Sequence, residues 1–260
     1  MMNSLWIAKT GMQAQQTNMD VVSHNLSNIS TTAYKRNRAV FEDLMYQNLR
    51  QVGAQADEQN ILPVGMHQGL GVRAVGITRN FTQGVPHETG NQYDVAINGG
   101  GFFQIQMPDG TTAYTRAGTF QPDANGVLGM SSNGFPLLDG ITVPQDAEKI
   151  EISASGIVQA VMSTGQVQQI GQFNIASFVN PAGLEPIGEN LYRETPASGA
   201  PQAGVPGQNE LGALKQCWLE GSNVNVVEEL VTMIQTQRAY EMNSKAISTS
   251  DQMLGRLVQI

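Results

Sequence analysis

The chain has 260 residues with 22 acidic and 14 basic side chains, a formal net charge of −8. This acidic balance argues against a nucleic-acid-binding protein. Charged residues make up only 14% of the chain, well below the usual share, and a surface of neutral polar groups suits a protein that packs against copies of itself. The single cysteine, Cys217, allows no intrachain disulfide and no zinc cluster, and its apolar neighbours predict a buried, inert thiol.

The N-terminal segment predicts a long amphipathic helix. Apolar residues recur there at alternating spacings of three and four, a period typical of coiled coils. The residues of this stripe on which we expect assembly to depend are Leu5, Met12, Met19, Val22 and Leu26. We see neither a Sec-type signal peptide nor a run of about 20 apolar residues, so we expect no membrane span.

A short basic cluster follows this helix, at residues 35–38, and is expected to form a solvated turn. Residues 46–71 are rich in glutamine, glycine and small side chains, and residues 36–71 are expected to form an extended connecting segment. Within it, Gly53, Pro63 and Gly65 would set the path of the chain.

The middle of the chain predicts β structure. Phe103 and Ile105 alternate with glutamines up to the turn signal at residues 108–110, after which residues 112–115 resume the strand pattern. A second hairpin is expected around residues 163–165. Regular spacing of such units predicts a β-rich region over residues 72–219.

No constellation for catalysis or metal binding is evident. The three histidines are not at metal-ligand spacing, and the run of three glycines at 99–101 precedes a strand pattern, whereas a dinucleotide loop precedes a helix. We therefore predict no enzyme activity and no cofactor.

The C-terminal segment predicts a second helix, of about 33 residues, with the same narrow stripe. Asn225 is placed to cap it, and Glu228 lies in its first turn, where the helix dipole favours an acidic side chain. The stripe residues expected to drive assembly are Val226, Leu230, Met233, Tyr240, Ile247 and Leu254.

These elements together predict an α+β protein with a mainly β middle domain and long N- and C-terminal helices that pair as a coiled coil. Residues 1–35 and 220–260 would form the inner helical domain, residues 36–71 the connecting segment, and residues 72–219 the outer β-rich domain. Two ordinary amphipathic helices lying on a core are the alternative interpretation.

Residues 23–36, SHNLSNISTTAYKR, resemble the N-terminal signature of flagellar rod and hook proteins, A-N-N-L-A-N-x-x-T-x-G-[YF]-K-R. Ala33 replaces the glycine of that signature, and because a Cβ resists positive φ we expect the turn to differ there. The matching residues that we carry over are Asn25, Asn28, Tyr34, Lys35 and Arg36.

The C-terminal stretches 222–230 and 237–241 resemble the C-terminal signature of the same family, in which we single out Asn225, Glu228 and Arg238. Residues 94–103 and 114–120 resemble its middle part. Chain length and the stretch 46–65 are most similar to the distal rod members.

This resemblance implies a structural subunit that self-assembles into a helical tube in the basal-body rod, spanning the periplasm. The tube would transmit torque and pass subunits delivered by the flagellar export apparatus. Implied partners are further copies of the chain, the proximal rod proteins, the hook and its junction, and the ring proteins around the rod. A proximal rod or hook subunit, or a periplasmic β-rich binding module, remains an alternative.

Overall fold

The computed structural model describes residues 2–50, 55–57, 60–61, 65–163 and 165–258. The chain divides into two compact units. The first unit comprises Met1–Ser27, Asn37–Arg79 and Asn225–Ile260, and the second comprises Asn28–Arg36 and Asn80–Val224.

Two long helices frame the sequence of the first unit. Helix α1 spans Met2–Ser27, and helix α2 spans Val226–Val258, the 33 residues expected from its periodicity. Asn225 caps α2 as predicted, because its Oδ1 accepts the Val227 N–H at 3.1 Å. Within the described residues, neither helix contains a stretch that is both long and apolar enough to cross a bilayer.

In the described residues between its two helices, the first unit has three antiparallel strand pairs, β1 with β6, β2 with β5, and β3 with β4. The expected extended connector therefore doubles back on itself as ribbons. Its strands are β1 Asn37–Asp43, β2 Tyr46–Arg50, β3 Gln55–Asp57, β4 Asn60–Ile61, β5 Met66–Gly69 and β6 Val72–Arg79.

Helix α1 packs on the β1–β6 ribbon at a point that requires glycine. Gly71 has a φ of +119°, and a Cβ added there would lie 2.1 Å from Thr10 Oγ1. The Thr10 hydroxyl in turn accepts the Val72 N–H at 3.4 Å. The missing side chain thus allows the start of β6 to lie directly against α1.

The second unit is β-rich. Its main sheet has the strand order β17-β18-β10-β9-β16-β19, and β13-β14-β15 form a second sheet. A single turn of 3₁₀ helix spans Pro181–Gly183. The strands are β7 Pro86–Glu88, β8 Val95–Asn98, β9 Phe102–Gln106, β10 Thr112–Thr115, β11 Phe120–Pro122, β12 Leu128–Met130, β13 Ala147–Ile152, β14 Ile157–Met162, β15 Val167–Gln172, β16 Ile175–Ser177, β17 Glu185–Gly188, β18 Leu191–Arg193, β19 Gln202–Gly204, β20 Ala213–Gln216 and β21 Trp218–Glu220.

The two predicted hairpins are confirmed. Strands β9 and β10 pair antiparallel across the turn at 108–110, where the Gly110 N–H donates to the Met107 carbonyl at 3.0 Å. Strands β14 and β15 pair across the second turn. The prediction of a mixed α and β protein, with a mainly β middle and a helix at each end, is likewise confirmed.

The core of the second unit is built on aromatic rings. The Phe103 side chain is fully buried, and its ring meets the Phe120 ring edge-on at 5.1 Å and the Phe173 ring at 6.0 Å. Edge-to-face contacts of this kind add to the gain from burial itself. This cluster holds β9, on the main sheet, to the strands that cover it.

The prediction of a buried thiol is wrong. Cys217 is half-exposed, with a φ of +60°, between β20 and β21. Its N–H donates to the Asp94 carbonyl at 2.8 Å and its carbonyl accepts the Thr89 N–H at 2.9 Å. These two hydrogen bonds hold the backbone on both sides of this left-handed residue, whose side chain is only partly buried.

Truncation of Phe103 to alanine should destabilise the second unit by about 3–5 kcal/mol, because it removes the ring at the centre of the core. Val167→Ala, at a side chain that is 60% exposed, should change the stability by less than about 0.5 kcal/mol. Urea unfolding followed by Trp218 fluorescence, in a Trp6→Phe background, measures both changes. Similar losses in the two variants would contradict this description of the core.

Candidate functional site

The contact between α1 and α2, both within the first unit, is made by polar and small side chains. Asn18 Nδ2 donates to Thr236 Oγ1 at 2.9 Å, and Thr236 is only 3% exposed. A Cβ added at Gly11 would lie 3.0 Å from Asn243 Nδ2. Small residues and paired polar groups allow the two backbones to approach closely.

The end of this contact carries a buried asparagine of the N-terminal signature. Asn25 is 1% exposed, and its Oδ1 accepts the Asn37 N–H at 2.9 Å. Its Nδ2 donates to the Asn37 carbonyl at 2.9 Å and to Glu229 Oε2 at 3.3 Å. Glu229 is also 1% exposed. Asn25 therefore joins α1, β1 and α2 through one amide group.

The apolar stripes found in the sequence flank this contact and are only partly enclosed by it. Val22 is buried, whereas Val226 and Leu230 are 43% and 44% exposed. The side chain of Leu254 lies outside the described residues. The half-buried members are Leu5, Met12, Met19, Leu26, Met233, Tyr240 and Ile247.

Further apolar side chains on α2 are exposed beside the stripe. Val227, Val231, Ile234 and Met242 are between 48% and 72% exposed. Near the start of α1, Trp6 is 52% exposed. An apolar strip of this length on a helix is an unusual feature for a protein that works as a monomer.

Residues 28–36, called the strap here, belong to the second unit and run into its interior. Ala33 is 2% exposed, and its N–H donates to the Glu220 carbonyl at 2.8 Å. Its φ is +58°, so it adopts the conformation that the family glycine would favour, and the expected difference in the turn is wrong. Asn28 Oδ1 accepts the Thr31 hydroxyl at 3.1 Å across the turn that follows α1, and Tyr34 is buried.

The strap places Lys35 in a buried ion cluster with Glu220 and Arg116. Lys35 Nζ donates to Glu220 Oε1 at 2.5 Å and to the Thr82 carbonyl at 2.8 Å. Arg116 Nε donates to Glu220 Oε2 at 2.7 Å, and the Gly84 N–H donates to Oε1 at 2.8 Å. The prediction that this basic stretch is a solvated turn is therefore wrong for Lys35, which is 1% exposed.

The three adjacent glycines complete this cluster. Arg116 also donates to the carbonyl groups of Gly101 at 3.0 Å and Gly99 at 2.9 Å. Both glycines have positive φ, at +128° and +117°. The backbone at these two glycines thus directs two carbonyl oxygens toward one guanidinium, so that the buried charge has several acceptors.

The cluster shifts the acidities of its members. Burial lowers the pKa of Lys35 to about 8, and repulsion by Arg116 adds to this effect, while Glu220 opposes it. Burial alone would raise the pKa of Glu220, but Arg116 and Lys35, with their hydrogen bonds and that of Gly84, hold it below its usual value. At neutral pH the cluster contains two cations and one anion.

Sequence reasoning missed Arg116, Glu220, Asn223 and Glu229. Arg116 and Asn223 lie inside stretches that resemble the family, so those stretches were the available signal. Arg36 is half-buried, and the remaining signature residues, Asn225, Glu228 and Arg238, are exposed on or beside α2.

Of the three residues expected to set the path of the connecting segment, Gly53 and Pro63 lie outside the described residues. Gly65 is half-buried and immediately precedes β5. No group of three or more His, Cys, Asp or Glu side chains in the described part of the chain is arranged to hold a metal ion.

Three family models match the chain. They are described as flagella basal body rod protein at residues 5–35, flagellar hook protein FlgE/F/G D1 domain at residues 96–160, and flagellar basal body rod FlgEFG protein C-terminal at residues 215–260. The matched ranges cover most of α1 and of the strap, and all of α2.

Full-length relatives are named flagellar basal-body rod protein FlgG. The relative from Buchnera aphidicola subsp. Acyrthosiphon pisum is 54% identical over 262 residues, covering 100% of both chains. Those of Agrobacterium fabrum and Bacillus subtilis are 49% and 39% identical and cover at least 97% of each chain. A Caulobacter vibrioides protein named FlgF is 32% identical.

Among solved structures, the flagellar hook protein FlgE2 of Helicobacter pylori is similar to this chain. The similarity covers 71% of this chain and 43% of the hook protein. The two share 16% identity with a TM-score of 0.24, which is too low to support an argument.

The lowered pKa of Lys35 makes stability depend on pH in a defined direction. Between about pH 8 and the unfolded value of 10.5 the unfolded chain binds more protons than the folded one, so stability rises with pH. From pH 7.5 to 9.5 we expect the free energy of unfolding of the second unit to increase by about 1–2 kcal/mol. In Lys35→Met this increase should be absent.

Lys149→Met, at an exposed lysine of the same unit, is the matched control and should keep the increase. Urea titrations at several pH values provide the measurement. The titrations stay below pH 10, the ordinary pKa of tyrosine. Burial raises the pKa of Tyr114 to about 12, so above pH 10 this residue makes the stability fall as the pH rises. An equal slope in wild type and Lys35→Met would show that Lys35 does not titrate in the folded cluster.

Proposed function

The chain belongs to the FlgG family of flagellar basal-body rod proteins, and we propose that copies of it assemble into the helical tube of the distal rod. It is a structural subunit of the flagellar basal body, not an enzyme. The proposed tube passes exported subunits through its centre and transmits torque along its wall.

The exposed apolar stripe on α2 is the observation that best supports this assembly. Leu230 and, beside the stripe, Ile234 are 44% and 50% exposed, so apolar side chains occupy positions of the helix where a monomer would carry polar ones. We propose that α1 and α2 pair as a coiled coil and that this stripe is covered by the helices of neighbouring copies. Each Å² of apolar area so buried contributes roughly 25 cal/mol.

The proposed arrangement uses the three segments that the sequence analysis distinguished. Residues 1–35 and 220–260 form the inner wall, residues 72–219 the outer domain, and residues 36–71 connect them. We propose that residues 46–65 prop one subunit against the next and stiffen the tube, with Gly53, Pro63 and Gly65 shaping the path. Deletion of 46–65 should change rod straightness or length in electron micrographs, and an unchanged rod would remove this role.

A rod subunit assembles with other rod and hook components. The specific partners we propose are the proximal rod proteins below, the hook and its junction above, and the ring proteins around the rod. Delivery by the flagellar export apparatus is part of this proposal. The rod would then span the periplasm.

Deletion of the gene, followed by electron microscopy of isolated basal bodies, tests the proposed position. Rods that are cut short and lack a hook are expected. A full-length rod without a hook would instead place the protein in the hook, and loss of the earliest rod segment would place it among the proximal proteins. Intact flagella would overturn the proposal.

Leu230→Asp should abolish rod assembly, because it places a charge in the apolar stripe that neighbouring copies cover. The purified variant should remain folded, since Leu230 is already 44% exposed. Gln235→Asp, also exposed on α2, is the matched control and should assemble. Motility and basal-body yield measure assembly, and circular dichroism measures folding. Normal rods in Leu230→Asp cells would exclude the stripe as an assembly surface.

A further inference from the structure

The chain passes between its two units four times, at the peptide bonds 27–28, 36–37, 79–80 and 224–225. The backbone torsion angles on either side of such a peptide bond are free unless hydrogen bonds restrain the neighbouring residues. In each unit, considered by itself, the residues beside three of these bonds, 36–37, 79–80 and 224–225, are connected through the side chain of one asparagine.

In the second unit this residue is Asn223. Its Oδ1 accepts the Arg36 N–H at 2.7 Å, and its Nδ2 donates to the carbonyl groups of Asn80 at 2.9 Å and Thr82 at 3.1 Å. The Asn80 N–H donates in turn to the Arg36 carbonyl at 2.9 Å. Three segments that are far apart in sequence thus meet at one amide, next to three of the four connecting peptides.

In the first unit the corresponding residue is Asn25. It holds both the N–H and the carbonyl of Asn37 at 2.9 Å and donates to Glu229 at 3.3 Å. Arg79 Nε donates to Asn37 Oδ1 at 3.1 Å, and the Glu229 N–H donates to the Asn225 carbonyl at 3.0 Å. The flanks of the bonds 36–37, 79–80 and 224–225 are therefore joined to the end of α1.

We propose that Asn25 and Asn223 are positioning residues: each restrains, within its own unit, the residues beside three of the connecting peptides, so that a load on the chain enters the unit through several segments at once. The primary amide is suited to this role, because it offers two N–H donors and a carbonyl acceptor on one short, planar group. Aspartate has the same size but no donor, and alanine has neither group. The mechanical meaning of this inference rests on the proposed rod function, whereas its test does not.

Amide hydrogen exchange on the wild-type chain is the first test. The N–H groups of Arg36, Asn37 and Asn80 each donate one of the hydrogen bonds described around Asn25 and Asn223. These N–H groups should exchange as slowly as those of the neighbouring strands β1 and β6. Exchange at the rate of an unstructured peptide at these three amides would overturn the proposal, whatever the chain does in the cell.

Trypsin provides the second test, because two connecting peptides follow an arginine, at Arg36 and Arg79. In native full-length protein, Asn223→Ala and Asn25→Ala should each raise the cleavage rate after these arginines by about tenfold or more, since several hydrogen bonds are lost together. Mass spectrometry of the early digest gives the rates. Cleavage after Lys149 and Arg193, in the same digest, serves as the internal reference.

Asn180→Ala is the matched control, because its Nδ2 donates a single hydrogen bond to the Ala197 carbonyl at 3.1 Å, elsewhere in the second unit. It should leave cleavage after Arg36 and Arg79 unchanged. Asn223→Asp keeps the acceptor for the Arg36 N–H but loses both donors, so it should also raise the cleavage rate, though by less than Asn223→Ala does. Wild-type rates in Asn223→Asp, or acceleration equal to that at the reference sites, would show that the amide does not hold these peptides.

Discussion

The second unit depends on the burial of Glu220. A carboxylate that is removed from water needs charged or hydrogen-bonding partners at close range, and here Lys35, Arg116 and the Gly84 N–H supply them. One of these partners, Lys35, lies on the strap, a segment separated from the rest of the unit in sequence. The strap must therefore be in place before the charges are balanced, and its docking brings Ala33 and Tyr34 into the core.

The helices of the first unit are joined by hydrogen bonds as well as by packing. Their mutual contact uses hydrogen bonds such as Asn18 to Thr236 and Asn25 to Glu229, while apolar side chains such as Leu230 remain largely accessible. Directional polar contacts specify how the helices pair, because they are satisfied in few arrangements. Apolar surface is then left over for association with other copies, which is what a self-assembling rod subunit requires.

Local patterns predicted the elements well where neighbours in sequence decide the outcome. The length of α2, its cap at Asn225 and the turn at 108–110 all follow from spacing and turn chemistry within a few residues. Lys35 and Cys217 were mispredicted because burial depends on segments remote in sequence: Glu220 lies 185 residues from Lys35. No periodicity near a residue reports such a partner.

The sequence by itself determined the helices at both ends, the β-rich middle, the apolar stripes and, through its signatures, the family. Tertiary structure alone decided what the signature residues do: Lys35 balances a buried carboxylate, Asn25 joins three elements, and Ala33 adopts a left-handed conformation. It also decided that polar pairs such as Asn18 and Thr236 join α1 to α2, and that stripe residues such as Leu230 stay largely exposed. The physical reason is that periodicity shows which face of a helix is apolar, whereas only the folded chain shows what covers that face.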